Sequence, residues 1–356
     1  MEELNKTVGV REGEELDANL IDTLLKARIE GLVGRPKIRQ FASGHSNLTY
    51  SIQYENKSLV LRRPPFGTRP KSGHSMIREY SVMNALKPAY QAVPHTYFHM
   101  TDEESPLGVE FYVMEQVEGR KLERDIPREW KFGAEEGRKL CLSFFRKLVE
   151  LHKVDYKAVG LEGFGKPEGY VGRQVLGWNN RYEKALTPDV ETFEDVRGWL
   201  EEKMPKNEVG HSVLHGDFRL DNMILDAKNP FEIKAVLDWE ISALGDPLMD
   251  LGNTLAYWSQ AGDPEDVIAM RMQPCTAEGM MTREEICEFY AKETGHDLSG
   301  FDYYLVYGVF RVAVILQQIY YRYYHGQTKN PAFAGFAGRT NLLGNYARLL
   351  IDRSKI

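Results

Sequence analysis

The run His215-Gly216-Asp217-Phe218-Arg219-Leu220-Asp221-Asn222, followed by Val236-Leu237-Asp238-Trp239-Glu240, constrains this chain more than any other feature. Asp217 and Asn222 are five positions apart, a spacing that one tight loop accommodates, and Asp238 follows sixteen positions after Asn222. In that interval residues 223–225 read as a strand, 227–230 as a turn and 233–237 as a return strand. Such a hairpin carries a second carboxylate back to the loop. One carboxylate to accept or orient a hydroxyl proton, with an amide oxygen and another carboxylate to hold Mg²⁺ against the phosphates of ATP, is the donor set that phosphoryl transfer demands. The expected roles are Asp217 as the catalytic group and Asn222 with Asp238 as metal ligands, since hard cations prefer oxygen.

The remaining composition narrows the class. A chain of 356 residues suggests about two domains, each able to bury a core. A net charge of -7 argues against nucleic acid as the main partner, because phosphate backbones attract basic surfaces. Cys141, Cys275 and Cys287 are scattered without metal-ligand or disulfide spacing, which fits a reducing compartment. The start Met1-Glu2-Glu3 lacks the basic-then-apolar pattern of a signal peptide, so a cytoplasmic location is expected. The apolar run 303–321 contains Arg311, Gln317 and Gln318 and reads as a buried helix; no membrane partner is expected.

Along the chain, residues 17–30 show an Asp17 cap and helical spacing of Leu20, Leu24 and Ala27. Residues 38–41, 48–54 and 58–63 read as strands of an antiparallel meander, 75–86 as a helix and 110–116 as a further strand. Beyond Val117-Glu118-Gly119 the pattern turns mainly helical, with helices expected at 132–152, 194–203, 283–294 and 301–325. The expectation is an α+β, two-lobed arrangement. Residues 1–116 would form a nucleotide-binding lobe with a helical N-terminal extension, and residues 117–356 a catalytic and acceptor-binding lobe.

These residues carry a resemblance. The octapeptide 215–222, Leu237-Asp238-Trp239-Glu240 and Gly245-Asp246-Pro247-Leu248-Met249-Asp250-Leu251-Gly252 resemble the aminoglycoside phosphotransferase superfamily, small-molecule kinases with the protein-kinase fold. Gly44-His45-Ser46-Asn47, Val60-Leu61-Arg62-Arg63-Pro64-Pro65, Arg78-Glu79-Tyr80, the segment 165–174 and the Phe310-Arg311 to Arg322 helix are similar to the kinase domain of acyl-CoA dehydrogenase family members ten and eleven. The resemblance implies an ATP- and Mg²⁺-dependent phosphotransferase acting on a small-molecule hydroxyl, with a hydroxyacyl-CoA as one acceptor and an aminoglycoside as another. The alternative from a different class is a nucleotide-binding pseudokinase, motivated by Arg62 and by a phosphate loop with only Gly44.

The resemblance also implies roles. Gly44, Ser46 and Asn47 would cover the ATP phosphates. Val60 would roof the adenine, and Arg62, in place of the usual Lys, would reach the phosphates and pair with Glu79, with Arg63 as the competing candidate. Arg and Lys are not interchangeable at such a position, because a fork grips phosphate differently from a point charge. Glu115 to Val117 would present hinge backbone to the base, with Met114 as core behind it. His215, Asp246 and Asp250 would brace the catalytic loop. Arg173, Trp178, Tyr182, Arg311, Tyr320 and Arg322 would line the acceptor side.

Overall fold

A computed structural model describes residues 7–41, 47–65 and 75–356. In chain order its elements are β1 (Thr7–Val8), α1 (Ala18–Lys26), β2 (Lys37–Phe41), β3 (Leu48–Gln53), β4 (Ser58–Arg63), α2 (Met76–Leu86), β5 (Thr96–Met100), β6 (Phe111–Glu115), β7 (Arg120–Lys121), α3 (Ala134–His152), α4 (Tyr170–Lys184), α5 (Glu194–Glu202) and β8 (Ser212–Leu214). They continue with β9 (Met223–Leu225), β10 (Ile233–Val236), β11 (Ala243–Gly245), α6 (Pro247–Ala256), α7 (Glu265–Ala269), α8 (Arg283–Thr294), α9 (Phe301–Tyr324) and α10 (Phe336–Arg353). The chain does not divide at one point. One unit joins Met1–Lys121, Tyr156–Glu162 and Asn222–Ser242, and the other joins Leu122–Asp155, Gly163–Asp221 and Ala243–Ile356. The hairpin after Asn222 therefore groups with the N-terminal strands.

In the first unit, among the described residues, an antiparallel six-stranded sheet runs in the order β1-β2-β3-β4-β6-β5. The period of two decides its faces. Leu48, Tyr50 and Ile52 of β3 and Leu59 and Leu61 of β4 bury against Ile21, Leu24 and Leu25 of α1. Burying each such side chain contributes about 1.5–3 kcal/mol. The alternate residues, Val60 and Arg62, share the opposite face. Ser51 and Thr49 stand beside them on β3, and Met114 and Tyr112 on β6. Asp17 caps α1 by accepting from the Asn19 and Leu20 amides, and Ser75 caps α2 through the Arg78 amide.

The second unit is mainly helical. Phe144 and Phe145 of α3 pack on Trp258, and Phe144 also meets Phe218 at 4.9 Å between ring centres. Helices α6 and α9 press together where neither carries a side chain. A Cβ on Gly252 would come within 2.4 Å of the Tyr304 carbonyl oxygen, and one on Gly308 within 2.4 Å of the Gly252 carbonyl oxygen. Among the described residues no helix is long and apolar enough to cross a membrane.

Candidate active site

The loop that carries Asp217 lies in the second unit. Strand β8, paired with β11 in the register Leu214↔Ala243, delivers the chain into His215. Gly216 has φ +83°, a left-handed turn that an L side chain resists, so glycine is required there. The turn is clamped from below by Asp250 of α6. This carboxylate accepts from the His215 amide at 2.7 Å and from the Gly216 amide at 2.8 Å. The imidazole of His215 is fully buried and accepts from the Asp217 amide at 3.2 Å through Nδ1. Its geometry is that of a backbone brace.

Asp250 is itself held. His152 at the end of α3 lies 3.2 Å away through Nε2, and His152 Nδ1 lies 2.6 Å from the Tyr290 hydroxyl. Nε2 therefore donates to Asp250 and Nδ1 accepts from Tyr290. Burial pushes the Asp250 carboxyl up, but the hydrogen bond from His152, the electrostatic pull of His152 and His215 and the hydrogen bond from the His215 amide outweigh it and leave the group below its ordinary range. Asp246 caps α6 through the Leu248 amide and also accepts from the Val209 amide and the Tyr304 hydroxyl. Sequence reasoning does not single out His152, Tyr290 or Tyr304. Nothing in a helix interior marks a residue as the partner of a group 98 or 138 positions away.

Asp217 keeps a partly exposed carboxylate with Arg219 at 3.4 Å. Arg219 also meets Asp221 at 3.0 Å and lies over Tyr257 at 4.8 Å. The Leu220 amide is tied to Gln273 at 2.9 Å. From the other direction Arg311 of α9 donates to the Gly216 carbonyl at 3.2 Å.

The hairpin that carries Asp238 lies in the first unit. Strand β10 pairs with β9 in the register Val236↔Met223, and the Leu237 amide bonds the Asn222 carbonyl at 2.8 Å. Asn222 and Asp238 are thereby brought alongside. Asp238 adopts φ +65°, ψ 56°, an uncommon conformation for a residue with a side chain, of the kind that concentrates at functional sites. The amide and carboxylate oxygens at 222 and 238 suit a hard divalent cation such as Mg²⁺. Among the described residues no three His, Cys, Asp or Glu side chains group so as to hold a metal by themselves. A metal here would draw its remaining ligands from phosphate and water.

Arg62 sits at the centre of an acidic set. Its Nη1 is 3.1 Å from Glu79 and 2.7 Å from Asp238, and its Nη2 is 3.1 Å from Glu240. Asn47 also donates to Glu240 at 3.1 Å. Burial pushes the Glu79 carboxyl up to about 7 against the pull of Arg62. The Arg62 guanidinium is held well above its ordinary range, because Glu79, Asp238 and Glu240 outweigh the cost of its burial. One guanidinium faces three carboxyl groups, an excess of acid that suits a cation.

Within the first unit the structure thus gathers Asn47, Arg62, Glu79 and Asp238, adds Glu240, and holds Asn222 beside the Leu237–Asp238 turn. Arg63 is buried elsewhere and donates to the Pro64 carbonyl. Val60 and Met114 are buried side by side across β4 and β6. The Glu115 and Gln116 amides bond His95 and Ser58, whereas the Val117 amide meets no acceptor among the described residues. Gly44 and Ser46 lie outside the described residues.

On the expected acceptor side, Arg173 is spent on the carbonyls of Lys166 and Glu168. Tyr182 is core and bonds the Glu191 carbonyl, Tyr320 bonds Asp189, and Arg322 is exposed near the end of α9. Trp178 and Arg311 adjoin one another, with the guanidinium 5.2 Å from the indole ring centre.

An antiparallel sheet unit, a helical unit and a loop of this form define a phosphotransferase on a protein-kinase-like scaffold. The chain belongs to the phosphotransferase enzyme family, whose model matches residues 37–284, and with it to the small-molecule phosphotransferases. It is 34% identical to mouse acyl-CoA dehydrogenase family member 10 over 316 residues, 86% of this chain and 29% of that protein. It is 30% identical to human acyl-CoA dehydrogenase family member 11 over 326 residues, 89% of this chain and 40% of that protein. The chain spans less than half the length of either relative. Among solved structures, a candidate aminoglycoside phosphotransferase from Ralstonia eutropha JMP134 superposes with a TM-score of 0.82 at 28% identity, covering 96% of this chain and 99% of that one. Choline kinase from Cryptosporidium parvum shares the fold with a TM-score of 0.63 at 13% identity, over 95% of this chain and 97% of its own.

Proposed function

We propose that this chain transfers a phosphoryl group from ATP, with Mg²⁺, to a hydroxyl of a small molecule. The observation that carries the reading is the clamped Asp217 loop: Asp250 holds the His215 and Gly216 amides, His215 holds the Asp217 amide, and the Asp217 carboxylate stays accessible. A carboxylate so fixed can accept or orient a hydroxyl proton, a contribution of about 10²–10⁴ in rate. Asn222 and Asp238 would hold Mg²⁺, and Arg62 and Asn47, with Gly44 and Ser46, would attend the phosphates. Val60, Glu115 and Val117 would contact the base, with the uncommitted Val117 amide as a donor to its edge. Bound Mg²⁺ and ATP supply the phosphoryl group and neutralise charge on it.

For the acceptor, the reading is a hydroxyacyl thioester such as a 4-hydroxyacyl-CoA. Two observations support it. The curated relatives are named as acyl-CoA dehydrogenase family members. Residues 303–327, which include most of α9, contain no Asp or Glu but carry Arg311 and Arg322. A polycationic aminoglycoside would call for the opposite charge.

Calorimetry of ATP with and without Mg²⁺ tests the nucleotide half. Binding should require the metal, and Asp238→Ala should abolish that requirement. Equal binding by both proteins, with or without metal, rejects the reading.

A further inference from the structure

Arg311 has a liganding edge that the protein does not use. The side chain is 7% exposed, its Nη2 donates to the Gly216 carbonyl, and its Nη1 is buried with no hydrogen-bond partner among the described residues. Among the described residues no carboxylate pairs with it. Arg283, equally buried, shows the ordinary solution: both of its Nη atoms meet Asp263, at 2.8 and 2.7 Å. A buried cation without a counter-charge is costly, and an unsatisfied buried donor calls for a partner from outside the chain.

The surroundings repeat the signal. Arg181 also lies over Trp178, 4.4 Å from its ring centre, is exposed, and has no carboxylate partner among the described residues. Trp178 is half-buried and bears a guanidinium at 4.4 Å and another at 5.2 Å. The Trp178 ring beside the guanidinium and the Gly216 carbonyl on Nη2 steady the Arg311 fork, and Nη1 is the end left for an oxygen ligand. Gly216 immediately precedes Asp217, so the edge sits next to the reacting loop.

We infer that Nη1 of Arg311, steadied by Trp178 and the Gly216 carbonyl, binds an anionic oxygen of the phosphate acceptor and so sets the acceptor's position against Asp217. The assignment rests on the proposed role of Asp217. It separates Arg311 from Arg173, whose donors are taken, and from Arg322, which is exposed.

The test uses the full chain saturated with Mg²⁺ and a non-hydrolysable ATP analogue, titrated calorimetrically with inorganic phosphate as the anion probe. Arg311→Gln should weaken phosphate binding about ten- to a hundredfold, the effect of one lost charge-assisted hydrogen bond. Arg311→Lys should recover part of it, and Arg353→Gln, at the exposed end of α10, should leave it unchanged. Failure of the analogue itself to bind speaks against the nucleotide reading and is seen before any phosphate is added; phosphate alone then reports on Arg311.

Phosphate binding that is strong in nucleotide-free protein but abolished by the analogue would mean that the edge serves the nucleotide's own phosphate, which overturns the acceptor assignment. Should Arg311→Gln not fold, indole fluorescence of the wild-type chain decides. Phosphate should change it, and Trp178→Phe should remove that change. A signal that survives Trp178→Phe, or equal phosphate affinity in wild type and Arg311→Gln, refutes the inference.

Discussion

Asp250→Asn is the sharpest perturbation of the loop clamp. The native carboxylate is fully buried and accepts three hydrogen bonds: from the His215 amide and His152 Nε2 on one oxygen, and from the Gly216 amide on the other. In the best orientation the new amide oxygen keeps the first two, now without charge assistance, while its NH₂ faces the Gly216 N–H, donor against donor. One buried donor left unsatisfied and two bonds weakened amount to roughly 3–5 kcal/mol, a large fraction of a stability of about 5–15 kcal/mol. Trp130, Trp178, Trp199 and Trp258, four of the five tryptophans, lie in the second unit, so indole fluorescence during urea unfolding reports on it. Turnover should also fall about a hundredfold, because the released Gly216 amide no longer fixes Asp217, while nucleotide affinity changes little.

The pH dependence has a definite sign. Despite burial, His152 and His215 hold the folded Asp250 pKa below its unfolded value. Its contribution is thus complete above the ordinary aspartate range and is lost as pH falls through the depressed folded value. The stability gap between wild type and Asp250→Asn should close on acidification. An Asp250→Asn variant within about 1 kcal/mol of wild type at neutral pH, with unaltered turnover, would refute the clamp.

Asp217→Asn should lower kcat by about two orders of magnitude or more while leaving ATP affinity within a few-fold, measured by ADP release and calorimetry; normal turnover rejects the assignment. Arg62→Ala strands Glu79, Asp238 and Glu240 without their shared cation and should destabilise the first unit by about 3–5 kcal/mol, read as faster amide hydrogen exchange in β3 and β4. Gly252→Ala should cost about 1–3 kcal/mol or more and lower Tm, since its Cβ meets backbone on α9; an unchanged Tm contradicts the close approach. In a panel of hydroxyacyl-CoAs, aminoglycosides, choline and homoserine, turnover should concentrate on the thioesters, and turnover of amines alone rejects the anionic acceptor.

The linear order of residues determined the motifs and the strands around them. Spacing placed Asp217 and Asn222 on one loop and returned Asp238 on a hairpin, and alternation put Val60 and Arg62 on one face of β4. These are local rules with periods of two to a few residues, so they are legible without a fold. Helices α4, α6 and α10 are not fully delimited by such rules. Helix α4 begins after Gly169 in a left-handed conformation and has no side-chain cap to mark its start, whereas α6 has its Asp246 cap and Pro247 but is buried along nearly its whole length and so lacks an amphipathic stripe. Only the tertiary structure joined Tyr290, His152 and Asp250 beneath the catalytic loop and gathered Glu240 with Arg62. Only it separated Arg311, whose Nη1 has no partner among the described residues, from Arg173, which donates to two backbone carbonyls. Hydrogen bonds between residues far apart in sequence depend on where the backbone turns, and the same side chain reads alike in a chain whether its partner is present or missing.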